Sequence, residues 1–297
     1  RGTRKQAETR LTDLVRDAHR GEFVEPTKLT LGEWLTEWVE KAIKPPRRTL
    51  RAYEGYCSTI EKHLKPKLGA IRLQQLRALD IERYHAELGL APATGQAHHA
   101  VLSSALKAAV RAGLIHRNVA TLVENKPRAP QGHQDVLAHV WEAHEAKHFL
   151  DTAKAAGPQP AAFYTTALDT GARKSELAGM KWADLDVQTG RLTIQLQLVK
   201  GGPEPIFGTT KMKKARTIEL AAETIALLRA HKQHQAELKL RNRTVYHDHG
   251  LMFAKEWGDV RKRRHSLGDP LQTNNLGQRE YAKLIKAAGV RRIKFHG

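Results

Sequence analysis

Residues Glu124 to His133 read Glu-Asn-Lys-Pro-Arg-Ala-Pro-Gln-Gly-His, with two prolines, one glycine, two cations and no apolar cluster. Such a segment has no apolar face to bury, and its prolines bar it from a helix interior or a central strand. It reads as an exposed linker, over about 124–136, and it splits the chain into halves with different hydrophobic periods. At 297 residues the chain is long enough for two domains of ordinary size.

The first half is helical by period. Thr30 precedes Leu31, Trp34, Leu35, Trp38, Val39 and Ala42, spaced as one helix face. Pro45-Pro46 ends that helix. Thr49 caps the next, with Leu50, Tyr53, Tyr56, Cys57, Ile60 and Leu64 inward. Leu68, Gly69 and Ile71 form a connector. Asp80 is expected to cap a third helix carrying Ile81, Tyr84 and Leu88. Thr94 to Ala112 reads as a fourth, with small residues for close packing and a stop at Gly113. A bundle of four to five helices over 30–123 follows. Ahead of it, residues 3–20 read as a further helix capped by Thr3 and stopped at Gly21, leaving 1–29 as a separate leading segment.

The second half, 137–297, is mixed. Helices are expected at 141–156, 159–169, 221–240 and 275–288. Arg191-Leu-Thr-Ile-Gln-Leu-Gln-Leu-Val199 alternates at period two and reads as one half-buried strand, with 215–220 as a short returning strand. Leu251-Met-Phe253 is a short apolar piece. The fold class is therefore mainly α with a small antiparallel β-sheet.

Charge limits the partner. Fifty Lys plus Arg against 31 Asp plus Glu give a formal net charge of +19. That excess calls for a polyanion, and nucleic acid is the commonest. Mean hydropathy is −0.54, and no apolar run approaches the roughly 18 residues a membrane span needs. No signal peptide is visible. One cysteine, Cys57, rules out an internal disulfide framework and fits a reducing cytoplasm. No phosphate-binding Gly-x4-Gly-Lys-Ser/Thr loop and no carboxylate set for two metals stand out. His98-His99 and His247-Asp-His249 lack a second cluster at zinc-like spacing and read as surface residues.

The chemistry concentrates after Leu168. The string Asp169-Thr-Gly-Ala-Arg-Lys-Ser-Glu-Leu-Ala-Gly-Met-Lys-Trp-Ala-Asp-Leu-Asp186 puts a turn at Thr170-Gly171 ahead of a new helix. Arg173 and Glu176 sit three apart, on one helix face, so the carboxylate can brace the guanidinium while it points outward. A planar fork held rigid at a helix start suits a phosphate.

This string resembles the first arginine motif of the tyrosine recombinases, the phage-integrase family (lambda-integrase-like). The resemblance extends over nearly the whole chain. It implies a helical, SAM-like core-binding domain over 30–123, ending in Leu114-Ile-His-Arg-Asn-Val-Ala120, and a mixed α/β catalytic domain over 137–297. Thr3-Arg-Lys-Gln-Ala-Glu8 resembles the start of the last helix of an arm-binding domain. Family members cleave and rejoin DNA through a 3′-phosphotyrosyl intermediate and need neither metal nor nucleotide, so no cofactor is implied.

The same resemblance implies the site residues. Arg173 would clamp the scissile phosphate, with Glu176 in support. Thr209-Thr-Lys-Met-Lys-Lys-Ala-Arg-Thr-Ile-Glu-Leu220 resembles the β-hairpin lysine element, whose lysine protonates the departing 5′ oxygen. Lys211 takes that role by position, with Lys213 and Lys214 as open alternatives. Arg291-Arg-Ile-Lys-Phe-His296-Gly297 resembles the lead-in to the His-x-x-Arg box, which makes His296 the assisting histidine. The family's second arginine would then fall at position 299. None of Tyr53, Tyr56, Tyr84, Tyr164, Tyr246 or Tyr281 stands where the family carries its nucleophile. Both ends therefore read as cut, at Arg1 and after Gly297. The fragment is expected to bind DNA without cleaving it.

Lys174, Lys213, Lys214 and the run Arg261-Lys262-Arg263-Arg264 are candidate phosphate contacts. The implied partner is double-stranded DNA at a core site, with a homotetramer on paired sites and a monomer or weak oligomer for the fragment. The implied setting is the cytoplasm of a bacterial cell or phage-infected host, at the nucleoid. Two rivals remain: a non-catalytic DNA-binding protein on the same scaffold, and a basic RNA-binding protein, for which no suitable motif is visible.

Overall fold

The computed structural model describes residue 3 and residues 24–128, 140–210, 214–257 and 266–295. The expected leading helix over 3–20, apart from residue 3, lies outside these. The chain divides into two compact units, Arg1–Gly132 and His133–Gly297. Among the described residues no helix is long and apolar enough to cross a membrane.

The first unit is all helical. Helix α1 (Leu31–Trp38) starts at Thr30 in a reciprocal cap. The Glu33 amide donates to Thr30 Oγ1 at 3.2 Å, and the Thr30 amide donates to Glu33 Oε2 at 2.8 Å. The chain widens to a π-helical turn at Val39–Ile43 and leaves the helix at Lys44, just before Pro45-Pro46. Thr49 caps α2 (Leu50–Thr59), which runs through a second π turn at Ile60–Leu64 into α3 (Lys65–Leu68). Helices α4 (Ala78–Ala86) and α5 (Pro92–Arg111) complete the bundle. Leu31, Leu35, Ile60, Leu64, Ile81, Leu102 and Leu106 are fully buried at its centre. Trp34 joins them and donates its indole N–H to the Ala105 carbonyl at 2.9 Å.

Two details depart from the sequence reading. Asp80 is not a cap; it sits in the first turn of α4 and accepts the Arg77 amide at 3.0 Å, so the helix starts earlier, at Ala78. Helix α5 starts at Pro92 rather than Thr94, because a proline is well placed at a first helical position.

In the second unit, α6 (Ala143–Ala155) and α7 (Pro158–Thr170) pack together, and α9 (Ala222–Arg241) lies against α7. A one-turn helix α8 (Lys174–Leu177) follows α7. The strands are β1 (Leu185–Asp186), β2 (Arg191–Ile194), β3 (Leu196–Lys200), β4 (Ile206–Thr209) and β5 (Arg216–Glu219). The expected single strand over 191–199 is in fact two. It divides at Gln195, whose amide side chain donates to Asp184 Oδ1 at 2.8 Å. β2 joins a three-stranded antiparallel sheet in the order β1-β2-β5, whereas β3 pairs with β4, a strand the sequence reading lacked. The last helix, α10 (Tyr281–Ala288), follows a π turn at Leu276–Glu280 and stops at Gly289.

Gly179 ties the turn after α8 to β3. A Cβ there would lie 2.7 Å from the Leu198 amide nitrogen and 2.9 Å from the Gln197 carbonyl carbon. Only glycine permits that approach of backbone to backbone. The core beneath is aromatic, with Phe163 and Phe253 edge to face at 5.1 Å and Phe149 and Tyr164 likewise at 5.0 Å.

Candidate active site

Helix α7 ends at Gly171, whose φ of 59° is left-handed and turns the chain outward. Ala172 is buried, and Arg173 follows in extended conformation at the head of α8. The Glu176 side chain reaches back across that turn. Its Oε2 accepts the Arg173 amide at 3.0 Å, and its Oε1 accepts the Arg173 guanidinium at 3.1 Å. The carboxylate is fully buried, while the Arg173 side chain is 49% exposed. The guanidinium is thus anchored through Nη1 on a side chain that is half exposed, and the i,i+3 spacing places the two groups within reach.

A second arginine shares this carboxylate. Arg216 on β5 donates from Nη2 to Glu176 Oε2 at 2.7 Å, and its side chain is 37% exposed. Burial pushes the Glu176 carboxyl up. The Arg216 hydrogen bond, the Arg173 amide and the two positive charges outweigh burial and hold it below the ordinary carboxylate value. The sequence reading placed Arg216 in the short returning strand over 215–220 and gave it no role. In the sheet it lies opposite Ile194.

The other expected residues are placed unevenly. Lys211, Lys213, Arg261, Lys262, Arg263, Arg264 and His296 lie outside the described residues. Around them the frame is defined. Thr210 is buried and donates its hydroxyl to the Lys214 carbonyl at 3.0 Å, closing the base of segment 211–213. The Lys214 side chain is exposed. Lys174 holds its ammonium 6.0 Å from the centre of the Phe295 ring. Phe295 packs against Tyr281, with ring centres 5.3 Å apart. The segment before it is tied down by Arg291, whose guanidinium meets Glu145 at 3.2 Å and whose carbonyl accepts the Trp141 indole at 2.7 Å. The residue preceding His296 therefore lies beside α8.

Tyr164 and Tyr281 line a cavity of about 260 Å³ beside Gly171, Ala172 and Phe295. Tyr84, Tyr164 and Tyr281 are buried. Burial pushes the phenols of Tyr84, Tyr246 and Tyr281 up to about 12 and raises that of Tyr164 as well. A hydrogen bond to Glu40 raises Tyr53. One histidine, His98, corrects the sequence reading. His98 is buried against Tyr84, with Nδ1 at 2.8 Å from the phenol oxygen, and His99 pairs with His85 at 3.1 Å. His98 belongs to the core because its partner comes from another helix. His247 is partly exposed and meets the buried Asp269 carboxylate at 2.8 Å. Among the described residues, no group of three or more histidine, cysteine or carboxylate side chains is placed to hold a metal ion.

The phage integrase family model matches residues 139–297, and the model of the phage integrase N-terminal SAM-like domain matches residues 30–89. An integrase of Streptomyces ambofaciens is 27% identical over 297 residues, covering 96% of this chain and 70% of that protein. A XerC-like tyrosine recombinase of Caldanaerobacter subterraneus subsp. tengcongensis is 25% identical, covering 99% and 76%. Among solved structures, the Tn1549 transposon integrase in complex with a circular intermediate DNA superposes with a TM-score of 0.66 at 16% identity, over 90% of this chain and 83% of that one. The lambda integrase tetramer bound to a Holliday junction gives 0.61 at 17% identity, over 99% and 77%. With the family model spanning more than half the chain, and a helical unit followed by a mixed unit, the chain belongs to the phage integrase family of tyrosine recombinases.

Proposed function

We propose that this chain binds duplex DNA at a recombination core site and supplies part of the machinery that cuts and rejoins it. One observation carries the reading: a fully buried carboxylate, Glu176, fixes a half-exposed guanidinium, Arg173, at the head of a one-turn helix. A buried charge is costly to keep and is retained where its partner must be held still.

The chemistry follows from that anchor. In strand cleavage a tyrosine oxygen attacks phosphorus, the bond to the 5′ oxygen breaks, and negative charge builds on the non-bridging oxygens. The exposed edge of Arg173 meets that charge with hydrogen bonds fixed in advance. Lys211, with Lys213 and Lys214 as alternatives, gives a proton to the departing 5′ oxygen, and His296 assists proton transfer. The phosphotyrosyl bond keeps the energy of the cut linkage, so a second 5′ hydroxyl can reverse the step on a new strand. None of the six tyrosines stands where the family carries its nucleophile. Residues 1–297 alone therefore bind without cutting. The net charge of +19 supports sequence-independent phosphate contacts, including those of Lys174 and Arg261–Arg264. The tetramer of lambda integrase on its junction supports the same assembly for the natural protein on paired sites.

The test is a titration of residues 1–297 with duplex DNA at several salt concentrations, beside cleavage by the natural full-length protein. Binding should weaken steeply with salt, and the full-length protein should leave a covalent protein–DNA adduct. A flat salt response would refute the phosphate-contact reading. Tight binding with no adduct would favour a non-catalytic DNA-binding protein on this scaffold.

A further inference from the structure

Arg216 has no part in the chemistry above, yet it makes the shortest bond to Glu176. The carboxylate is completely buried and its two oxygens are shared. Oε1 holds Arg173 at 3.1 Å, while Oε2 holds Arg216 at 2.7 Å and the Arg173 amide at 3.0 Å. Arg173 stands at the head of α8 and Arg216 on β5, 43 positions later, opposite Ile194 at the end of β2. Glu176 is therefore a bracket between the arginine turn and the strand that emerges from segment 211–213. The base of that segment closes two residues before Arg216, through Thr210 Oγ1 and the Lys214 carbonyl.

We infer that Arg216 is a positioning residue, which acts through Glu176 to hold the Arg173 guanidinium in place on the scissile phosphate. This rests on the recombinase reading. Two features favour a guanidinium over any other cation. The rest of the fork stays 37% exposed, so it neutralises the buried carboxylate without being buried itself. Its planar donor edge also fixes direction as well as charge, which an ammonium does not. Without Arg216, Glu176 would keep Arg173 as its one cationic partner. Arg173 from its own turn and Arg216 from β5 are the charged groups set against it. Burial would then push the carboxyl up, and protonation would release the edge of Arg173 that it now holds.

The experiment is single-turnover cleavage of a core-site duplex by the natural full-length protein, wild type against Arg216→Met, Arg216→Ala and Arg216→Lys. Displacements of about an ångström at a reacting group cost on the order of 10²-fold in rate, and that loss is expected for Arg216→Met with duplex affinity retained. The acidic limb of its pH–rate profile should move to higher pH. Free guanidinium ion should restore part of the rate to Arg216→Ala, and Arg216→Lys should recover less than full rate. A carboxyl NMR titration of Glu176 in residues 1–297, independent of catalysis, should show its pKa rising in Arg216→Met. An unaltered rate would overturn the inference. So would a loss that follows thermal stability alone, with no shift of the acidic limb and no guanidinium rescue. A wild-type protein that forms no adduct would instead defeat the recombinase reading itself, and the positioning role with it.

Discussion

The two units differ in the charge they bury. In the helical unit, among the described residues, the buried polar side chain is the neutral His98, paired with the phenol of Tyr84. In the second unit, among the described residues, two carboxylates are buried, Glu176 and Asp269, alongside neutral groups such as His231 and Gln235. A buried neutral pair needs only its hydrogen bond, whereas a buried carboxylate loses hydration that cationic partners must make up. The helical unit is thus arranged for packing. The second unit sets two guanidinium groups against the buried Glu176.

Arg173→Ala tests that contrast most severely. In any protein that joins this chain to the nucleophile it should slow cleavage by roughly 10³-fold, about 4 kcal/mol, as loss of a preorganised charge-stabilising donor does. Duplex binding should largely survive. A variant that still cuts at the normal rate would reduce the buried ion to a structural element and erase the distinction between the units.

The complementary change lies in the helical unit. Leu102 is fully buried, and Leu102→Ala should cost about 3 kcal/mol. Denaturant unfolding, followed by amide exchange over residues 31–111, would measure it, and the Glu176 carboxyl should keep its lowered pKa. A cost below about 1 kcal/mol would show that the bundle packs more loosely than its burial indicates.

Acid should act on both units through histidine. Burial pushes His231 down from 6.5 to about 4. A lowered folded value means the stabilisation is complete above pH 6.5 and disappears as pH falls toward 4. That loss amounts to about 3 kcal/mol at most. His85 is lowered to about 4 by burial first and then by His99 and His98, so the bundle should weaken over the same window. Glu176, held below its ordinary value, should stay ionised through most of it. Melting temperatures that stay constant from neutral pH down to pH 4 would contradict both assignments. The smallest effect should come from Thr30→Ala, about 1 kcal/mol for the lost cap of α1, read from the denaturation midpoint.

The parts visible in the sequence were those encoded locally. Thr30 and Thr49 mark helix starts through their capping hydroxyls, Pro45-Pro46 and Gly113 mark helix ends through their backbone preferences, and each lies at the expected boundary. Glu176 could be joined to Arg173 because three residues separate them on a helix. The split at Gln195 and the strand β4 were hidden. Ile206-Phe-Gly-Thr209 is short, contains a glycine, and becomes a strand only by pairing with β3. Arg216 was hidden for the same reason: its partner lies forty residues earlier, and nothing in the intervening sequence records the contact. His98 reads as polar surface until Tyr84 is seen beside it.

Gly179 carries a practical lesson for redesign. Because a Cβ at that position would collide with the main chain of β3, a randomised library spanning the arginine turn would lose most members to misfolding before any target sequence exerted selection. Efforts to retarget the protein should hold position 179 invariant and diversify exposed helix faces of the bundle, where changes in side chain leave the scaffold intact.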